Sequence, residues 1–238
     1  MKRPRNLTAG EVLAHLEQDP AYLKREIERE RRWEVNSQRY DAAAASLIQE
    51  LKAVGYDVEA VGELRMRRDK YTTAIPVLLH WLPRVEYAPL KDDIIRSLSA
   101  AWAKQARPFL LELFRTTADD SGDAGRWVIG NALEPMADDS VFDEYAAICR
   151  DKRYGSGRQM VVLGLGRMKR RRVEAVGVLM ELLESDEQVY YTAIEALGKL
   201  RAKEATTLIE RFLNHTDPDW RNQAKRALAK MNRDVRPD

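Results

Sequence analysis

Residues 173–200 and 203–231 are two copies of one pattern, and that self-similarity restricts the fold more than any other feature of the chain. In VEAVGVLMELLESDEQVYYTAIEALGKL and KEATTLIERFLNHTDPDWRNQAKRALAKM, Glu174 and Ala175 fall on Glu204 and Ala205. Val178, Leu179, Leu182 and Leu183 fall on Leu208, Ile209, Phe212 and Leu213. After one extra loop residue, Asp186, Val189, Ala193, Ala196, Leu197 and Leu200 match Asp217, Trp220, Ala224, Ala227, Leu228 and Met231. Earlier in the chain, Val161, Leu165, Gly166 and Met168 hold the places of Ala193, Leu197, Gly198 and Leu200, and Ile129 with Leu133, then Ile94 with Leu98, hold them again. The apolar residues recur at helical spacing, so each unit reads as two short amphipathic helices. Such a hairpin cannot bury its apolar faces alone and does so by stacking on its neighbours. Five units result, near 71–103, 104–138, 139–170, 171–202 and 203–231, and the expected fold class is an all-α solenoid.

Residues 1–70 precede the repeats as an amino-terminal helical segment, which divides the chain into domains 1–70 and 71–238. Thr8 and Glu11 have capping-box spacing, with Val12, Leu13 and Leu16 as the apolar edge of a short helix. Asp19-Pro20 supplies an N-cap and a proline at the first helical position, and nothing interrupts the pattern before Gly55, so residues 20–54 read as one long helix. Its halves differ. KREIERERRWEVNSQR is dense in alternating charge, with Ile27, Trp33 and Val35 its only apolar residues, whereas Leu47, Ile48, Leu51 and Val54 form a stripe. The second half is expected to pack and the first to lie in solvent, with Ile27 and Trp33 able to anchor a partner or a second copy.

Much is excluded by what the 238 residues lack. Lys+Arg 40 against Asp+Glu 38 leaves +2, too little to drive binding to polyanions by bulk charge. The charge is uneven, however: residues 1–149 hold 21 basic and 25 acidic residues, and 150–238 hold 19 and 13. Cys149 is the only cysteine, so no intramolecular disulfide forms, and a metal site would have to be built without a Cys pair. His15, His80 and His215 lie on unrelated elements, and no Walker loop or dinucleotide fingerprint is present. No apolar run suits a signal peptide or a membrane span. The expectation is a soluble, cytoplasmic, monomeric protein without metal or cofactor, and not an enzyme.

The second halves of the last two units, DEQVYYTAIEALGKL and DPDWRNQAKRALAKM, follow the pattern D-x-x-V-R-x-x-A-x-x-A-L-G-x-L. At these residues the chain resembles the HEAT-repeat family, specifically short bacterial units like those of phycobilisome lyases. The resemblance extends over about two-thirds of the chain, and it weakens in GDAGRWVIGNALEPM and APLKDDIIRSLSAAW. It implies a right-handed α-solenoid of about five hairpins and an interaction scaffold; it carries over no lyase activity, because repeat spacing is a packing signature.

Three constellations stand out. Lys91, Arg126, Arg158, Tyr190 and Arg221 occupy one position in successive units. That row is either a set of structural pairs with loop aspartates, such as Arg221 with Asp186 or Asp217, or a basic ladder for phosphates and carboxylates. In stacks of this type the second helices line the concave face. The columns Asp92, Trp127, Gln159, Tyr191, Asn222 and Arg96, Asn131, Leu163, Glu195, Arg226 would then face a groove. Its expected occupant is a protein or peptide, with Trp127 and Tyr191 as anchors flanked by Arg96, Arg126, Arg158 and Arg226. The third is the run Arg167, Lys169, Arg170, Arg171 and Arg172, joined across turns by Lys199, Arg201 and Lys203, then by Lys230, Arg233 and Arg236. This basic inter-repeat edge is the alternative site, for nucleic acid. Helical-repeat DNA-repair glycosylases, which set an acidic residue among aromatics, extend that alternative to Asp92, Glu134 or Asp138 by analogy of fold.

Overall fold

The computed structural model describes residues 8, 10, 11, 13, 17–118 and 124–232, and among them no β-strand occurs. Val12, Leu16, Arg233 and Arg236 lie outside the described residues. Thr8 and Glu11 make the reciprocal cap, with the Thr8 N–H donating to Glu11 Oε2 at 2.8 Å and the Glu11 N–H to Thr8 Oγ1 at 3.3 Å.

The helices are α1 (Pro20–Ala53), α2 (Ala74–Trp81), α3 (Ala88–Ser97), α4 (Arg107–Thr116), α5 (Ala124–Leu133), α6 (Phe142–Arg150), α7 (Gln159–Leu165), α8 (Arg172–Ser185), α9 (Tyr190–Lys199), α10 (Thr206–Glu210) and α11 (Pro218–Met231). The cap expected at Asp19 is made, and Asp217 makes another of the same kind. The Asp19 carboxylate accepts the Ala21 N–H at 2.9 Å ahead of α1, and Asp217 accepts the Asp219 N–H at 2.8 Å ahead of α11, each with proline next in the chain. Helix α1 stops at Gly55, whose φ of +96° is left-handed and costs glycine no steric strain.

From α2 onward the helices alternate between two rows. The second helices α3, α5, α7, α9 and α11 lie one against the next, while α6 packs on α8 and α8 on α10. The 3₁₀ turn Val61–Met66 heads the second row by packing on α3, and the end of α1 packs on α2. The buried cluster runs from Ala44 and Leu47 to Ala227 and Met231 and includes Leu64, Leu98, Phe114, Tyr145 and Leu197. Burying each such leucine contributes about 1.5–3 kcal/mol relative to exposure.

Helix α1 divides as its composition does. Leu47 and Leu51 are fully buried, whereas Trp33 is 70% exposed. Val54 departs from the expected stripe: it forms the C-cap, where the chain leaves helical geometry, and is 40% exposed.

Arginines tie consecutive hairpins. Arg107 donates to the Met136 carbonyl of its own unit at 3.0 Å and to Ser140 Oγ of the next at 3.0 Å, and two units later Arg172 donates to the Leu200 carbonyl of its own unit while pairing with Glu204 of the next at 2.8 Å. Arg115 reaches Glu144 at 3.1 Å and Arg150 reaches Glu181 at 2.8 Å, again from one first helix to the next.

Candidate functional site

The row at the start of the second helices works inward. Arg126 donates to the carbonyls of Phe114 and Thr117, Arg158 to those of Cys149 and Gly155, and Arg221 to those of His215 and Thr216. In these three hairpins a guanidinium therefore caps carbonyls left open where the first helix ends or in the turn that follows it. Arg158 is fully buried and also pairs with Asp186 of the next unit. Arg126 is buried and stands over the Tyr154 ring at 5.1 Å. Burial removes Arg126 and Arg158 from the groove surface where the sequence placed them, because their guanidiniums turn inward to these carbonyls. Tyr190 takes this position in the fourth unit and packs edge-on against Phe212 and Trp220, at 5.5 and 6.0 Å between centroids.

Trp127 and Arg96 do come together. They line a shallow cleft of about 320 Å³ with Arg65, Ser99, Val128 and Asn131, and Trp127 is 40% exposed there. Asn131 is held by the Trp127 carbonyl at 2.8 Å and Arg96 contacts Asp92 at 3.5 Å. Tyr191, Arg126, Arg158 and Arg226 are not among the walls; Tyr191 is half-buried two hairpins away, and Arg226 is exposed on α11. Arg65 escaped sequence analysis because it precedes the repeats. Its guanidinium meets Asp93 at 2.8 Å and Ser97 Oγ at 3.2 Å, which fixes the Val61–Met66 turn beside α3. The only available signal was the spacing of Val61 and Leu64, both fully buried.

The basic run separates into committed and uncommitted cations. Arg171 pairs with Glu174 at 2.7 Å and Asp143 at 3.3 Å, Arg172 with Glu204, and Arg167 makes a two-point contact with Glu134 at 2.9 and 3.0 Å. The side-chain charges of Lys169, Arg170 and Lys203 are exposed and make no ion pair among the described residues, although the Arg170 N–H donates to Asp139 at 2.9 Å. A second cleft, about 490 Å³, opens where α7, α9 and α11 end, with Gly166, Arg167, Lys169, Gly198, Lys199, Arg201 and Lys230 as its walls.

The carboxylates considered for base chemistry are engaged elsewhere. Burial raises the Glu134 carboxyl, but the Arg167 hydrogen bonds and charge, with Lys199 at 3.4 Å, outweigh it and hold the group below its ordinary value. Burial likewise opposes, and the Lys104 and Ser140 hydrogen bonds and the Arg107 charge overcome, in keeping Asp138 well below the carboxylate range. Both are ionised acceptors rather than proton donors near neutrality. No group of three or more metal-binding side chains occurs among the described residues. His80 is exposed at the end of α2, and His215 stacks on Trp220 at 4.8 Å. The Cys149 thiol is fully buried, which pushes it far up in pKa despite the charges of Arg158 and Arg150.

The architecture is thus alternating rows of short helices joined by arginine clamps, with small residues between the later second helices. Residues 142–229 match the family model for HEAT repeats. That stretch takes in α6 to α10 and all but the end of α11. HEAT repeats generally serve as protein-interaction scaffolds and are typically non-enzymatic. No curated protein matches the chain. No helix among the described residues is long and apolar enough to cross a membrane.

Proposed function

We propose that this protein is a non-enzymatic, cytoplasmic, monomeric scaffold. Residues 71–238 form a right-handed solenoid of five HEAT-like hairpins, preceded by the amino-terminal helical segment 1–70, and the exposed face of the second helices holds a protein or peptide. The observation that carries the reading is Trp127: a large indole left 40% exposed beside Arg96 and Arg65 in a cleft, the pairing of ring and guanidinium that concentrates binding energy at interfaces. Tyr191 and Arg226 extend the same face toward the carboxy terminus, while Arg126 and Arg158 support it from beneath. The cleft takes an apolar or aromatic partner residue next to a carboxylate, which Arg96 can meet once it leaves Asp92.

Affinity capture from the native extract tests this with matched baits, the intact chain and the Trp127→Ala, Arg96→Ala double variant. A protein recovered by the first and lost by the second supports the reading. Recovery of the same proteins by both baits, or of nucleic acid alone, refutes it.

The alternative is nucleic acid along the basic edge. The exposed side-chain charges of Lys169, Arg170 and Lys203, none of them in an ion pair among the described residues, favour it. Affinity for an oligonucleotide that falls steeply with salt, and that vanishes when these three become Ser, is the outcome it requires.

A further inference from the structure

The cleft at the ends of α7, α9 and α11 concentrates five cations, Arg167, Lys169, Lys199, Arg201 and Lys230, in about 490 Å³. Like charges this close repel unless something compensates them. Glu134 and Glu195 are the carboxylates in reach, at 2.9 Å from Arg167 and at 3.4 and 3.5 Å from Lys199. Three helix ends add only about half a negative charge each. The cations remain in excess, and Lys169, Arg201 and Lys230 have no acidic partner among the described residues.

The backbone gives an independent indication. Arg201 has φ +50°, the left-handed region, and is the only non-glycine residue to do so among those described. It closes α9 with the Ala202 N–H on the Leu197 carbonyl at 3.1 Å and its own N–H on Gly198 at 3.2 Å. Helix α1 closes through the same pair of bonds, Tyr56 to Leu51 and Gly55 to Lys52, with glycine at the left-handed place. At the mouth of the cleft the chain carries a guanidinium where this turn favours glycine.

We propose that this cleft is a binding site for a compact oligophosphate, a small molecule bearing two or three linked phosphoryl groups. Glu134 holds Arg167 and Lys199 in place as a preset floor, and Lys169, Arg201 and Lys230 close on the ligand as mobile charges. No aromatic side chain is among the walls, so the site offers a base no stacking surface, and its ligand is recognised through its oxyanions. The assignment uses none of the residues of the Trp127 cleft and goes beyond the scaffold reading.

Calorimetric titration of the full chain with tripolyphosphate, and separately with inorganic phosphate, tests it at low ionic strength. One saturable site is expected, at least tenfold tighter for tripolyphosphate. Arg201→Gly should weaken it tenfold or more while leaving the melting temperature of the free protein unchanged or higher, since glycine relaxes the turn. Lys169→Ser with Lys230→Ser should weaken it similarly, and Arg170→Ser, outside the cleft, should not. Absence of saturable binding overturns the proposal, as does equal loss with Arg170→Ser, which would mean a diffuse charged surface. Tighter binding of an oligonucleotide that depends on Arg170 and Lys203 overturns it in favour of a nucleic-acid edge.

Discussion

The two ends of the second-helix row are assembled by opposite means. Toward the carboxy terminus, α7, α9 and α11 approach through glycine and alanine: a Cβ built on Gly166 would stand 3.0 Å from the Ala196 Cα, and one on Gly198 3.0 Å from the Ala227 Cα. Toward the amino terminus, a 3₁₀ turn stands in for the helix and polar groups hold it. There the Tyr40 hydroxyl donates to Asp93 at 2.7 Å, the Tyr71 hydroxyl to the Ser97 carbonyl at 2.8 Å, and Ser97 Oγ to the Val61 carbonyl at 3.3 Å. Close packing by small residues tolerates repetition and so leaves a periodic trace. A polar network is made once, from whichever side chains reach, and leaves none.

The largest effect that would sharpen this contrast is expected inside the regular end. Arg158→Ala strands the buried Asp186 carboxylate and the Cys149 carbonyl and should cost about 3–5 kcal/mol in denaturant unfolding. Arg221→Ala, which uncaps carbonyls at a half-exposed turn, should cost only about 1 kcal/mol. Next come the small residues. Gly198→Ala must push the α9 and α11 backbones apart and should cost about 1–3 kcal/mol. Gly177→Ala on the exposed face of α8, where the new Cβ meets nothing within 4 Å, should instead gain about 0.5–1 kcal/mol. If both alanine variants behave alike in thermal unfolding, close approach is not what holds that end.

At the polar end, Tyr40→Phe frees Asp93 from one donor and should cost about 0.5–1.5 kcal/mol. Acid should act on the ion pairs within and between hairpins. Because Glu134 and Asp138 are held below their ordinary values in the folded chain, the unfolded chain binds more protons, and their stabilisation is complete above about pH 5, begins to fall near the ordinary carboxylate value of about 4, and is lost only as pH drops through their lower folded values. The melting temperature followed from pH 7 to pH 3 reads this, and Glu134→Gln should flatten the fall. The smallest change is expected for Trp81→Phe. The buried Trp81 Nε1 has no hydrogen-bond partner among the described residues, so losing it offsets part of the lost ring, and stability should move by about 1 kcal/mol or less.

The same contrast explains what the sequence could disclose. Hairpins were legible wherever Ala193, Leu197 and Gly198 recur as Ala224, Leu228 and their earlier counterparts, because a helix that must nest against its neighbour permits few residues there. The two characters of α1 followed from composition alone, and only Val54, at the helix end, fell outside. The arginine row was visible as a position but not as a function: its acceptors are mainly backbone carbonyls, which every residue possesses and no sequence displays. Hence Arg126 and Arg158 read as groove residues and prove to be buried struts, while Arg65 passed unnoticed. Trp127 with Arg96 was anticipated as one surface; the pairing of Arg171 and Arg172 with acids on adjacent units was not, since those partners lie about 30 residues away in sequence.

Cys149 lies fully enclosed in α6, next to the carbonyl that Arg158 caps, with its thiol kept protonated by that enclosure. Alkylating reagents attack the thiolate, so the folded hairpin should be inert to them, and every labelled molecule must have parted α6 from its neighbours first. The single sulfhydryl is therefore a built-in clock for breathing at the middle of the stack, reporting how often the third hairpin opens while the rest of the chain stays folded.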